Sequence, residues 1–335
     1  MLRPYILIAG MLVGCTNSIE LDNNAPSHHR PDGTFTNSNG EAIENSVRDL
    51  IKWRREAPEV TPLNLPSVSP QLEKLENPTN AQITWIGHST FLLQLDGLNI
   101  LTDPIFSERA SPVSFSGPKR TTPPAMTIDQ LPHIDIVLIS HSHYDHLDKQ
   151  TVEALHRKQT GKPPRYYVPL RLKPWFTKLG VEQVTELDWW DNVKIGETTV
   201  HAVPVQHWSS RSPFDRNKTL WAGFLVDSPS LRVLFVGDSG YSNDFKTIAK
   251  RLGKVNVALV PIGAYDPRWL MKNSHMNPEE AQQLVNDVGA TRAIGMHWGT
   301  FALTNEPMAE PGERADATGV IETPKPGQII DLTKG

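Results

Sequence analysis

The sequence predicts an α/β domain in which two β-sheets pack together beneath a cover of helices. Three observations carry that expectation. Apolar runs of strand length crowd the chain from about residue 81 onward, amphipathic stretches of helical length fall between them, and nothing points to a repeat array. Of the 335 residues, 38% are hydrophobic and 21% charged, enough apolar material for one large core. A formal net charge of -4 supplies no basic surface for nucleic acid, which is excluded as a partner. The 28 prolines imply many ordered loops between short elements.

In chain order, Arg3 precedes an apolar stretch from Tyr5 to Val13 that is too short to span a bilayer. This reads as an export signal. It ends in Leu12-Val13-Gly14-Cys15, and Cys15 is the only cysteine. The pattern resembles a bacterial lipoprotein leader over residues 1–14, which implies acylation of Cys15 and a membrane anchor. By resemblance to enteric lipoproteins, Thr16 after the cysteine implies the outer membrane, on its periplasmic face. Residues 15–44, rich in Asn, Ser, Pro, Gly and His, are expected to form a flexible tether in which His28 and His29 are solvated. Val47, Leu50, Ile51 and Trp53 then lie at helical spacing, a short amphipathic helix expected to pack on the main domain of residues 45–335.

Strands are predicted at 83–86, 90–95, 99–102 and 134–140, the last apolar enough to be covered on both faces. Residues 104–126 read as a long loop. Further strands are predicted at 165–169, 184–187, 193–205, 219–227, 231–237, 256–262 and 292–296, with helices at 149–158, 171–179, 243–252 and 278–288. Asn277-Pro278 opens the last helix as an N-cap with proline at the first helical position.

The strongest chemical signal is His141-Ser142-His143-Tyr144-Asp145-His146, placed directly after the buried strand. A tight loop can aim two histidines at one cation and Asp145 with His146 at another. Imidazole and carboxylate are donors that zinc accepts. His207, Asp238 and His297 each follow an apolar strand. Singly, a histidine or a Gly-Asp there is usually structural. Jointly they place candidate ligands at strand ends, which converge on one edge of a sheet.

This set resembles the ligand signature of the metallo-β-lactamase superfamily, and the chain looks like the branch of N-acylphosphatidylethanolamine-hydrolysing phospholipase D. Matching stretches include Trp85-Ile86-Gly87-His88-Ser89-Thr90, Leu101-Thr102-Asp103-Pro104, Glu186-Leu187-Asp188-Trp189-Trp190, Gly237-Asp238-Ser239-Gly240-Tyr241 and Met296-His297-Trp298-Gly299-Thr300. They cover about residues 80–305. The resemblance implies a four-layer αββα sandwich and two zinc ions per chain. His141, His143 and His207 would hold one ion, Asp145, His146 and His297 the other, and Asp238 both. It implies a metal-bridging hydroxide as nucleophile toward a phospholipid phosphodiester, with Asp145 and His275 as catalytic residues. His275 would donate to the leaving group or bind phosphate; alternatively, it caps the following helix. Asp103 and His88 would orient ligands, and Tyr144 and Trp298 would line the site. Trp175 and Phe176, among Arg171, Lys173 and Lys178, have a composition suited to a membrane interface or to a partly buried helix. Alternative readings are a sugar-phosphate lactonase-like hydrolase and a non-catalytic envelope lipoprotein.

Overall fold

A computed structural model describes residues 26–333. The expected leader and Cys15 lie outside the described residues. Among those described, no helix is long and apolar enough to cross a membrane.

The first half contains α1 (Val47–Glu56), α2 (Leu72–Glu76), β1 (Gln82–Gly87), β2 (Thr90–Leu95), β3 (Leu98–Thr102), β4 (Ile136–Leu138), α3 (Lys149–Lys158), β5 (Arg165–Pro169), α4 (Lys173–Thr177) and β6 (Val184–Leu187). The second half contains β7 (Asn192–Ile195), β8 (Thr198–Val203), β9 (Gly223–Asp227), β10 (Arg232–Phe235), α5 (Asp244–Leu252), β11 (Val257–Pro261) and α6 (Arg268–Met271). It ends with α7 (Pro278–Val288), β12 (Arg292–Met296), α8 (Glu310–Thr318), β13 (Ile321–Glu322) and β14 (Ile329–Asp331).

The strands form two seven-stranded sheets, ordered β14-β1-β2-β3-β4-β5-β6 and β13-β12-β11-β10-β9-β8-β7. In each, an antiparallel half adjoins a parallel half, the change falling at β3 in the first and β10 in the second. Period-2 alternation sorts the side chains. Phe91, Leu93, Leu95, Ile100, Ile136 and Leu138 enter the same core as Phe224, Val226 and Phe235 of the second sheet. Their neighbours Leu92, Leu101, Val137, Tyr166 and Val168 turn the other way, toward Val152 and Leu155 of α3 and Phe176 of α4. On the opposite side α5 packs on α7, and α7 on β11 and α8. The α/β two-sheet architecture is therefore as the sequence predicts, helices outside and sheets within.

Local chemistry sets the boundaries. Asn277 caps α7 in a reciprocal box with Glu280, Pro278 occupies the first turn, and Gly289 ends the helix in the left-handed conformation. The single strand expected over 193–205 divides at Gly196, whose φ of 60° is a hairpin conformation.

Two expectations are corrected and one open alternative is decided. The segment from Pro26 to Glu44 is not a free tether. Phe35 is wholly buried, His28 nearly so, and the Phe35 N–H donates to the Asn217 carbonyl at 2.8 Å. Helix α1 forms, with a Ser46–Asp49 capping box, but buries none of its residues. Val47 is 73% and Ile51 55% exposed, so of its apolar face only Trp53, bonded to Asn305, touches the domain. In α4, Phe176 is buried and Trp175, partly buried, lies edge-on against it at 4.9 Å and faces Arg211, so of the two readings open for this helix the partly buried one holds.

Candidate metal centre

The two sheets deliver their loops to a common edge. The loop after β4 carries His141, His143, Asp145 and His146, while His207, Asp238 and His297 follow β8, β10 and β12. Close approach is built in. At Gly237, with φ 66°, an added Cβ would lie 2.5 Å from the Ser140 Cβ, so glycine lets the Asp238 loop touch the histidine loop. His88 and His297 hold positive φ values of 53° and 62°, strained for residues with a Cβ, and the His297 N–H donates to the His88 carbonyl at 3.1 Å.

All seven sequence-predicted donors meet, in two groups. In the first, His141 Nε2 lies 2.7 Å and His207 Nε2 3.3 Å from His143 Nδ1. The second contains Asp145, His146 and His297 together with His88. Asp145 Oδ2 is 3.3 Å from His146 Nε2, 3.2 Å from His297 Nε2 and 3.0 Å from His88 Nε2. Asp238 stands between the groups. Its Oδ2 is 3.1 Å from His146 Nε2 and 3.2 Å from His297 Nε2, against 3.9 and 3.8 Å from the Nε2 atoms of His141 and His207.

The hydrogen-bond pattern tests whether cations fit. His207 Nδ1 donates to the Ser274 carbonyl at 3.0 Å, which leaves Nε2 as a bare lone pair aimed into the cluster. His146 Nδ1 meets Asp103 Oδ2 at 2.6 Å, so its Nε2 faces the carboxylates of Asp145 and Asp238. Buried Asp238 Oδ1 has no hydrogen-bond partner, and His146 Nε2 makes none of good geometry although Asp238 Oδ2 stands 3.1 Å away. Leaving such atoms unsatisfied costs about 1–3 kcal/mol each. Inward-facing nitrogen and carboxylate oxygen donors, oriented from behind, are what divalent transition cations require.

Electrostatics divide the groups. Burial pushes His141 and His207 well below the ordinary imidazole range, and His143 down to about 4. Burial acts on His146 and His297 in the same sense, but carboxylates outweigh it. Asp238, Asp145 and Asp103 raise His146 well above its ordinary value, and Asp238 with Asp145 raises His297 to about 9. Asp238 is held well below the carboxylate range despite its burial, chiefly by His146 and His297. A positive charge belongs among Asp145, Asp238 and their histidines, as a proton or as a metal.

His88 is a fourth member of the second group, beyond the seven expected donors, and Asp103 supports that group from behind. Asp103 is wholly buried, accepts the Ser140 N–H at 2.6 Å and orients His146. His275 is no helix cap, because Asn277 fills that role. Its Nδ1 lies 3.9 Å from Asp238 Oδ2, its ring centroid 5.3 Å from that of His207 and 5.4 Å from that of His297. Tyr144 is partly buried beside the cluster, its hydroxyl donating to the Arg211 carbonyl at 2.8 Å. Trp298 turns away to stack on Trp85 at 5.8 Å. Sequence reasoning missed Trp208, whose ring is 4.2 Å from that of His143 and lies under the Arg216 guanidinium at 4.1 Å. It also missed Asn37, whose Oδ1 accepts the His207 N–H at 3.0 Å. Adjacency to His207 was the available signal for Trp208; Asn37 had none.

Comparison with known proteins agrees with this geometry. Residues 98–298 match the beta-lactamase superfamily domain. The chain is 42% identical over 244 residues to the N-acyl-phosphatidylethanolamine-hydrolyzing phospholipase D 1 of Caenorhabditis elegans, covering 69% of this chain and 67% of that one. It is 39% identical over 240 residues to the mitochondrial N-acyl-phosphatidylethanolamine-hydrolyzing phospholipase D of Saccharomyces cerevisiae, covering 70% of this chain and 50% of that one. A segment of 103 residues is 40% identical to the outer membrane protein RomA of Klebsiella pneumoniae, covering 31% of this chain and 76% of that one. Among solved structures, the metallo hydrolase Igni18 of Ignicoccus hospitalis superposes with a TM-score of 0.58 at 21% identity, covering 75% of this chain and 98% of that one. The diiron β-hydroxylase CmlA of Streptomyces venezuelae does so with 0.57 at 19% identity, covering 76% and 55%. Both share the fold. Donor clusters, superfamily domain and relatives agree: the chain is a metal-dependent hydrolase and belongs to the N-acylphosphatidylethanolamine-hydrolysing phospholipase D-like family of the metallo-β-lactamase superfamily.

Proposed function

We propose that the protein is a zinc-dependent phosphodiesterase of phospholipase D type, acting on N-acylphosphatidylethanolamine or a related phospholipid. The carrying observation is the pair of donor groups joined by Asp238, in a chain 42% identical to a relative named for that hydrolysis. His141, His143 and His207 would hold one ion, Asp145, His146 and His297 a second, and Asp238 would serve both. Two bound zinc ions would supply Lewis acidity, lowering the pKa of water and offsetting charge on phosphoryl oxygens. The donor set also suits iron, the metal of the diiron neighbour CmlA.

The protein's own groups supply orientation. Asp103 holds His146, Ser274 holds His207, and His88 fixes Asp145 from behind. Burial lowers His275 to about 4, so at neutral pH it is an uncharged imidazole. In that form its N–H donates a hydrogen bond to a phosphoryl or leaving oxygen rather than transferring a proton outright.

A lipid substrate is supported by exposed apolar groups joined to the elements around the centre. Arg216 bonds the Ile43 carbonyl just before α1 and stacks on Trp208 beside His143. Trp53 of α1 donates to Asn305 at 2.8 Å, while Lys52 covers Trp269, itself half exposed. Phe214 is 83% exposed on the loop that includes Arg211 and Arg216. Acylation of Cys15 would anchor the chain at the outer membrane on its periplasmic face, a placement that the partial similarity to RomA supports.

Purified protein incubated with vesicles containing N-acylphosphatidylethanolamine should release phosphatidate and an N-acylethanolamine, identified by mass, and a chelator should abolish the release. Absence of both products, or release indifferent to chelator, would overturn the reading.

A further inference from the structure

Among the described residues, one group of metal-competent side chains shares no member with the centre described above. His28 Nε2 lies 2.6 Å from Asp188 Oδ1, and His29 Nε2 lies 2.8 Å from Asp188 Oδ2. One ligand atom from each of the three lies within 4.8 Å of the other two. Neighbouring side chains on extended backbone point to opposite faces. Here a turn, closed by the His29 N–H on the Pro26 carbonyl at 2.9 Å, sends both rings the same way. Their planes stand at 87° with centroids 4.5 Å apart, so two nitrogens approach one carboxylate from different directions.

Each group is held from behind. His28 stacks on Trp189 at 4.2 Å, and His29 meets Phe35 edge-on at 5.1 Å. Asp188 Oδ1 also accepts the Trp189 N–H at 2.7 Å. His28 borders a cleft of 710 Å³ lined by Trp189, Trp190, Tyr241 and Arg251, which gives a hydrated cation a way in. Two imidazoles and a carboxylate, preoriented and open on one side, are a borderline donor set of the kind that selects zinc and its neighbours.

We propose that His28, His29 and Asp188 form a further transition-metal site, of the zinc class, separate from the seven-donor centre. Binding requires each ring to carry its proton on Nδ1, freeing Nε2, and opens the donors to about 3.3 Å apart around a tetrahedral ion. The ion pins the 28–37 segment to the turn between β6 and β7. That segment ends on Asn37, whose Oδ1 accepts the N–H of His207, and Thr36 N–H bonds the His28 carbonyl at 2.9 Å. Loading the site therefore stiffens the support of one ligand of the main centre.

The discriminating variant is His29→Gln. A glutamine amide can still donate to Asp188, so a hydrogen-bonded clasp survives, but it is a poor ligand for zinc. Full-length wild type and His29→Gln are dialysed against the same zinc buffer, and metal is counted by elemental analysis. The variant should hold one ion fewer per chain, whatever number the seven-donor centre holds, so the result is independent of the phosphodiesterase reading. Equal counts would overturn the site. Asp188→Asn provides a second variant with the same expected loss. Cobalt titration of metal-free Asp238→Asn, shown folded by circular dichroism, gives a further readout: with the main centre weakened, a set of visible bands should persist. Disappearance of every band in Asp238→Asn would also overturn it.

Discussion

The two donor groups lie side by side, yet they solve the problem of burying polar atoms differently. His141, His143 and His207 form an all-imidazole group that burial keeps neutral, two of them far below their ordinary range and His143 at about 4. Nothing must leave before a cation binds. Asp145, His146 and His297, beside Asp103 and Asp238, form a group where carboxylates hold His146 well above its ordinary value and His297 at about 9. There a cation must displace protons. Burial of imidazole makes one half of the centre ready to bind, and buried anions make the other half a site of proton-for-metal exchange.

The largest effect should come from the residue that serves both halves. Asp238→Asn removes the carboxylate between them, and phosphodiesterase turnover should fall by about 10²–10³-fold, the scale of losing one charge partner of the transition state. Steady-state kinetics with circular dichroism as a folding control would measure this; unchanged turnover would remove Asp238 from the centre. Asp103→Asn touches only the carboxylate-rich half, through His146. A loss of roughly 10–100-fold in metal affinity or activity is expected, as for other groups that orient ligands. An equal loss of the ion held by the imidazole half would break the division.

Acidity should separate the halves next. Metal uptake requires free lone pairs on His146 and His297, whose raised pKa values favour the protonated form. As pH falls, protons compete harder there, while the lowered pKa values of His141, His143 and His207 delay protonation. Dialysis through a falling pH series should therefore release one ion first, and the ion retained longer should be the one lost in a His143→Ala variant. Simultaneous release would refute the difference. The smallest effect should come from Asn37→Ala, which strips the acceptor from the buried His207 N–H. It should cost about 1–3 kcal/mol of stability, measured by denaturant unfolding, with turnover changed less than by Asp103→Asn.

The loop from His141 to His146 was legible because four donor side chains within six residues follow a strand apolar on both faces, a local signal. His207, Asp238 and His297 were legible only together. Asn37, Ser274 and Trp208 support ligands through contacts between distant segments, which no window on the sequence contains. The same holds for residues 26–44, a stretch whose composition reads as a linker but which is anchored by buried Phe35, His28 and Asn37. β13 and β14, two and three residues long, are too short to show alternation, yet they complete both sheets. Helix α1 erred the other way: its period is that of a buried helix, yet of its apolar residues only Trp53 reaches the domain, while Val47, Leu50 and Ile51 stay exposed.

β14 follows every other strand in the chain but pairs with β1, the first. While the protein is being made, the sheet that presents the histidine loop must wait with β1 unpaired along one side until residue 331 has left the ribosome. During that wait the bare margin is a template for mispairing with another nascent chain. Trimming the chain before Ile329 would leave the margin open permanently, which makes aggregation in the cell, rather than damaged chemistry, the first expected symptom of such a deletion.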